Sequence, residues 1–160
     1  MKIINLFLSI IAEYTPKLHQ IIETIIKKKS FFEPINIKFS KIFYENEWDC
    51  EESVSGGGSS LSQTEVLRRE LPELFKKIGA KTLLDVPCGD FNWMRYTNLD
   101  LKQYLGGDIV PEIVSQNKKK YENDVRKFKL IDITKMKLPK MDVILCRDCF
   151  IDFSFKDIFH

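Results

Sequence analysis

The chain has 160 residues, 44% hydrophobic and 30% charged, enough for one buried core with a helical arm beside it. Its 25 basic and 23 acidic side chains leave a formal charge of +2, too weak a field to point to nucleic acid as a partner. Four cysteines, at positions 50, 88, 146 and 149, are too few and too unevenly placed for a secreted disulfide scaffold, so a reducing, cytoplasmic setting is expected.

The apolar run from Ile3 to Ala12 is interrupted by Asn5 and Ser9 and falls well short of the roughly 20 residues that span a bilayer. Glu13, Tyr14 and Pro16 follow it where a secretory signal would need a small-residue cleavage site. Ile3, Phe7, Ile10, Tyr14, Leu18, Ile21 and Ile25 recur at spacings of three and four, one stripe of a helix interrupted near Pro16. Packing against a core or another subunit is expected ahead of a membrane-surface role. Lys27, Lys28 and Lys29 suit a helix C-terminus as well as they suit lipid.

Residues 30–49 mix aromatic and charged side chains with no lasting period, which predicts a connector with a short helix near Lys41 to Glu45. Residues 53–60 read S-V-S-G-G-G-S-S, and both a flexible linker and a cofactor lid fit that composition. Ser62 and Glu65 form an S-x-x-E capping pattern directly afterwards, so the loop would deliver the chain to a helix N-terminus whose free amides suit a cofactor's carboxylate. The helix itself follows from Val66, Leu67, Leu71, Leu74, Phe75 and Ile78 and ends at Gly79, with Pro72 kinking it or opening a second turn. The arm and connector thus cover 1–52 and the main domain 53–160.

Beyond Gly79 the period changes. Thr82 to Val86, Gln103 to Asp108, Phe128 to Ile133 and Asp142 to Arg147 read as strands, with helical stretches near Asn92 to Thr97 and Glu112 to Tyr121. Strand and helix in alternation predict an α/β fold, a mostly parallel Rossmann-like sheet. Ligands of such sheets sit outside the carboxyl ends of the strands, where the first turn, Pro87-Cys88-Gly89, meets them. A dinucleotide site needs three spaced glycines for its pyrophosphate, whereas this turn has Gly89 alone, flanked by Asp85 and Asp90. That opposes an NAD(P)-dependent oxidoreductase. S-adenosylmethionine carries an ammonium and a sulfonium and no phosphate, and gains from acids at the same place. Asp108, ending the second strand, is placed to accept ribose hydroxyls, and Asp132, ending the third, to approach adenine between Ile109 and Ile133. Each acid alone would be an ordinary strand-end or capping residue; three at successive strand ends make the case.

From residue 41 to 157 the chain resembles bacterial class I S-adenosylmethionine-dependent methyltransferases, in a group of poorly characterised substrate. The resemblance rests on E-S-V-S-G-G-G-S-S at Glu52 to Ser60, L-L-D-V-P-C-G-D-F-N-W-M at Leu83 to Met94, and C-R-D at Cys146 to Asp148. It implies a seven-stranded sheet, S-adenosylmethionine as cofactor, Asp85, Gly89 and Asp90 near its methionine part, Asp108 on the ribose and Asp132 near adenine. It implies three further strands after the fourth, so this chain is expected to be a fragment, a decayed relative or half of an assembly. It also implies a histidine where Asp152 stands. The fourth strand is then expected at an open edge that invites self-association or a partner chain.

Arg147 and Asp148 follow the fourth strand and are the candidate catalytic pair, Asp148 as a base if the acceptor must lose a proton early; an ion pair between them is the plain alternative. The acceptor is unidentified, a small molecule or a glycan. Trp93 would cover the cofactor or belong to the core. Cys146-Arg-Asp-Cys149 has dithiol spacing, yet neither a thioredoxin-like helix start nor two further zinc ligands accompany it. Lys118, Lys119 and Lys120 read as a solvated helix face, and no metal site is expected. A non-catalytic interaction module is the rival reading.

Overall fold

The computed structural model describes Gln20 and residues 33–153, with the side chain of Asp152 left out. The expected amphipathic stripe from Ile3 to Ile25 and the positions beyond Phe153 lie outside the described residues. The chain forms two compact units, Met1–Lys38 and Phe39–His160. Among the described residues there are three α-helices, α1 (Ile35–Glu45), α2 (Glu65–Ile78) and α3 (Pro111–Tyr121), and four strands, β1 (Thr82–Asp85), β2 (Gln103–Asp108), β3 (Arg126–Leu130) and β4 (Val143–Leu145). The strands form one all-parallel sheet in the order β3-β2-β1-β4, the Rossmann-like α/β arrangement that the alternation of periods predicts. No described helix is long and apolar enough to cross a membrane.

Both faces of the central strands are covered, as parallel sheets require. Leu83 and Tyr104 are register partners on one face, where they join Leu71 and Phe75 of α2, Val114 of α3, Phe128 of β3, and Phe91, Trp93 and Met94 from the chain after β1. Phe91, Tyr104 and Phe128 meet edge-on with centroids 5.3 to 5.9 Å apart, the geometry ring quadrupoles favour. Leu84 and Leu105, one residue on, pair on the opposite face with Val86 and Ile131. Leu83 and Leu84 have no exposed surface. Gly106 faces the aromatic side so closely that a β-carbon would lie 2.6 Å from Phe128, so β2 and the Phe128 ring meet only because that side chain is missing.

Several local expectations are corrected. The helix before β1 begins at Glu65 with Thr64 as its cap and no side-chain cap bond, so the Ser62/Glu65 capping box does not form. Ser60 takes over instead: its hydroxyl accepts the Gln63 amide at 3.3 Å, and its carbonyl accepts the Thr64 hydroxyl at 2.7 Å. α1 starts six residues before the expected Lys41 because the Pro34 carbonyl accepts the amides of Ile37 and Lys38 at 2.9 and 3.0 Å, opening the helix there. The stretch from Asn92 to Thr97 is only a 3-10 turn, Met94–Tyr96. The Asp90 carboxylate captures the Asn92 amide at 3.2 Å, offering the backbone a turn in place of a helix. β3 ends at Leu130, so Asp132 and Ile133 lie beyond the strand. α2 runs through Pro72 without ending and stops at Gly79, where the Ala80 amide reaches back to Phe75 at 3.0 Å.

Candidate functional site

Three sequence elements far apart in the chain meet at the carboxyl end of the sheet. The turn after β1 carries Gly89 at φ +54, a conformation that suits glycine, and a β-carbon there would collide with the Ser55 hydroxyl. The next residue, Asp90, stitches the glycine-serine loop down: its carboxylate accepts Ser53 Oγ at 2.9 Å, the Val54 amide at 3.1 Å and Ser55 Oγ at 3.3 Å. Its own amide donates to Ser55 Oγ at 3.0 Å. Asn92 adds a second stitch by donating to Glu52 Oε1 at 2.7 Å and to the Ser59 carbonyl at 3.1 Å. From beyond β4, Arg147 donates to the Gly58 carbonyl at 2.8 Å, pairs with Asp148 at 2.8 Å, and lies 5.9 Å from the centre of the Trp93 ring. These bonds make residues 53–60 an anchored loop and not a free linker.

The acids divide into two groups. Asp85 is buried and accepts the Tyr104 hydroxyl at 2.7 Å. Burial pushes its carboxyl up to about 7, against the Tyr104 bond, with Asp108 adding to the rise. Asp108 is also buried and accepts the Gly89 and Val110 amides, each at 3.0 Å, one on each oxygen. Burial raises it to about 6, partly offset by the Val110, Gly89 and Ile109 amides, while Asp90 pushes it further up. Asp108 thus stands within electrostatic reach of both Asp85 and Asp90, whereas the strand-end pattern groups Asp85 and Asp108 with Asp132. Asp132 stands apart from them in chemistry: burial raises it, but Thr134 and Lys135 outweigh that and hold it below the usual carboxylate range. Its oxygens accept the Thr134 amide and hydroxyl at 3.0 and 2.6 Å and Lys135 Nζ at 3.0 Å, so it closes its own turn.

The remaining expected residues are placed as follows. Pro87 follows Val86 through a cis peptide, and the Cys88 amide donates to the Gly107 carbonyl at 2.8 Å, tying the turn to the end of β2. The Cys88 thiol is buried among the aromatic core, and burial together with Asp108 and Asp85 raises it well above its usual range. Trp93 is a core residue at 6% exposure that also supports Arg147. Ile109 and Ile133 are half-buried, Ile133 against the Leu84 side of the sheet. Asp148 is exposed and holds φ +51.

Two contributors escaped the sequence reading. Tyr104 supplies the hydroxyl that holds Asp85, and Asn117 of α3 reaches across to the Gly89 carbonyl at 2.7 Å. Asn117 is fully buried, and its spacing from Ile113 and Val114 on the inward face of α3 is the signal that would have marked it. A cleft of about 190 Å³ opens beside the stitched loop, lined by Glu52, Val54, Asp90, Asn92, Arg95, Ile113, Gln116, Asn117, Lys120 and Tyr121. Arg95 crosses it, donating to the Tyr121 hydroxyl at 2.9 Å and to Asn92 Oδ1 at 3.1 Å. Asp90 reaches this cleft; Asp85, Asp108 and Asp132 are not among its lining residues.

Fold and site together define an α/β protein of open parallel sheet with an acidic, loop-covered carboxyl end. The sequence matches no protein-family model, and no curated protein matches it either.

Proposed function

We propose that the chain binds S-adenosylmethionine at the carboxyl end of the sheet and belongs, as its motifs suggest, with the class I methyltransferases. The observation that carries this reading is the convergence of residues 52–60, the Asp85–Asn92 turn and Arg147-Asp148 on one end of a parallel sheet, between the β1 and β4 ends where the strand order reverses. The residues fit that cofactor better than a dinucleotide. The turn has one glycine in place of three, and two buried carboxyls held at about 7 and about 6 would be drawn to their charged forms by a sulfonium and an ammonium, whereas a pyrophosphate would oppose them. Asp108, which accepts the Gly89 and Val110 amides on separate oxygens, is the residue assigned to the ribose hydroxyls.

When bound, the cofactor supplies an electrophilic methyl group. The chain's own part is positioning: Asp90 and Arg147 hold the loop, Gly89 and Asn117 shape the turn, and Asp148, paired with Arg147, is the candidate base for an acceptor hydroxyl or amine. The four free thiols suit a cytoplasmic setting. Calorimetric titration with S-adenosylhomocysteine tests the reading. Saturable heat is expected, and its absence at millimolar ligand, or saturable nicotinamide dinucleotide binding instead, contradicts it. Binding without turnover across a panel of small-molecule and glycan acceptors would replace the enzyme by a non-catalytic module on the same fold.

A further inference from the structure

We propose that the cleft between the 52–54 segment and α3 is a binding site for a small zwitterion, a free α-amino acid, with Arg95 and Lys120 at its carboxylate and Glu52 at its ammonium. The inference does not rest on methyl transfer, because Asp85, Asp108 and Asp132 lie outside the lining of this cleft. Its volume of about 190 Å³ exceeds the roughly 150 Å³ that takes a molecule the size of benzene, so a ligand of that size fits. Four charged side chains line it, Glu52, Asp90, Arg95 and Lys120, and no ion pair joins any of them to another or to any described residue. They are also sorted by sign. Lys120 stands on α3 and Arg95 is tied to that helix through Tyr121, whereas Glu52 precedes the glycine-serine loop and Asp90 pins it. A net anion meets the carboxylates and a net cation meets Arg95 and Lys120; a ligand carrying both charges suits both sides.

The hydrogen bonds of Asn92 set the spacing. Asn92 is 5% exposed and bridges the two signs: its Nδ2 donates to Glu52 Oε1 at 2.7 Å, and its Oδ1 accepts Arg95 at 3.1 Å. The O-to-N reach of that side-chain amide is close to the O-to-N reach across an α-amino acid, so such a ligand lying beside Asn92 makes the same two contacts with charge on both partners. Donors and acceptors remain for it. Arg95 gives one N–H to Tyr121 at 2.9 Å and one to Asn92, and its guanidinium lies 4.7 Å from the centre of the Tyr96 ring, so it is fixed in place with N–H groups to spare. Glu52 receives the Leu61 amide and Asn92 on one oxygen, both at 2.7 Å, which leaves Oε2 for an ammonium. Asp90 is engaged by Ser53, Val54, Ser55 and the Asn92 amide, and it contributes negative potential in place of a direct contact. Val54 and Ile113 add a small apolar wall, which suits a short side chain.

The test is saturation-transfer NMR on the full chain with each free L-amino acid in turn, followed, for the best binder, by its deamino acid and its decarboxylated amine. A short-chain amino acid should saturate at millimolar concentration or below, and both single-charge analogues should bind roughly tenfold more weakly or worse. Glu52→Gln keeps the acceptor for Leu61 and Asn92 and should weaken the amino acid roughly tenfold without weakening the deamino acid. Arg95→Ala should weaken the amino acid at least as much, and Lys120→Ala, a change on an exposed helix face, should lower its affinity in the same sense by a smaller factor. No saturation by any amino acid at about 10 mM, analogues that bind as well as the amino acid, or binding that survives both Arg95→Ala and Glu52→Gln would each overturn the proposal. Displacement by S-adenosylhomocysteine would overturn it too, by assigning the cleft to that ligand. Failure of S-adenosylhomocysteine to bind anywhere, with amino-acid binding intact, would count against the methyltransferase reading alone.

Discussion

At the amino end of the sheet, Asp142 clasps β1 to β4. Its carboxylate accepts the Lys81 and Thr82 amides, both at 2.9 Å, and its own amide donates to Thr82 Oγ1 at 2.8 Å. At the carboxyl end, Asp85 and Asp108 do the same kind of work on Tyr104 and on the Gly89 and Val110 amides. Their protonation runs the other way. The Lys81 and Thr82 bonds hold solvent-exposed Asp142 below the usual carboxylate range, while burial drives Asp85 and Asp108 above it. An aspartate that only joins strands has no need to be buried at the expense of its charge. These raised acids at the carboxyl end are the feature on which the proposed cationic-ligand site rests.

The largest effect expected from breaking this contrast is that of Asp108→Ala. It strands two backbone donors in a buried turn and should cost about 3 kcal/mol of unfolding free energy in urea titration. In the liganded protein the same change should weaken S-adenosylhomocysteine binding by roughly 1.5 to 3 kcal/mol, the range for charged hydrogen bonds. Unchanged affinity would remove Asp108 from the site.

Asp85→Asn sharpens the comparison through pH. A carboxyl whose folded pKa is raised from 3.8 to about 7 binds its proton more tightly in the native state, so the wild type loses stability as pH rises from about 4 to 7 and then levels off. The asparagine keeps an acceptor for Tyr104 and carries no charge, so the variant should be more stable than wild type at pH 8 by about 1 to 3 kcal/mol and equal to it near pH 4. Denaturation midpoints at the two pH values decide it.

Asp142→Ala should behave in the opposite sense with a smaller loss. The contribution of a depressed carboxyl is present above its unfolded value of 3.8 and disappears as pH falls through the folded one. Acid titration of wild type and variant should therefore converge below pH 4, whereas convergence at pH 8 would invert the assignment. The smallest change expected is that of Arg147→Ala, which should leave global stability nearly unaltered and speed amide exchange only across residues 57–59.

The sheet was largely legible because Leu83, Leu84, Tyr104 and Leu105 alternate between two buried faces, and β2 runs over Gln103–Asp108 as its period predicts. β3 was misplaced because Arg126, Lys127 and Lys129 carry charge along an edge strand that turns chiefly Phe128 inward, leaving the apolar Ile131 and Ile133 to attract the prediction past its end. The candidate acids were visible as strand-end residues, but what each one grips was not. Asp90 bonds to residues 35 to 37 positions away, a relation no local period encodes, and the same distance hid that residues 53–60 are pinned. Asp132 looked equivalent to Asp108 only because both follow apolar strands; Thr134 and Lys135, two and three residues on, divert it to its own turn.

Whether Asp85 and Asp108 serve a cationic ligand, as proposed, is read from carbon-13 NMR titration of their carboxyl groups, free and with S-adenosylmethionine. The free protein should show both groups titrating between about 6 and 7, and the sulfonium ligand should move both downward, further than S-adenosylhomocysteine does. Two carboxyls that titrate near 4, or that ignore both ligands, would contradict the account.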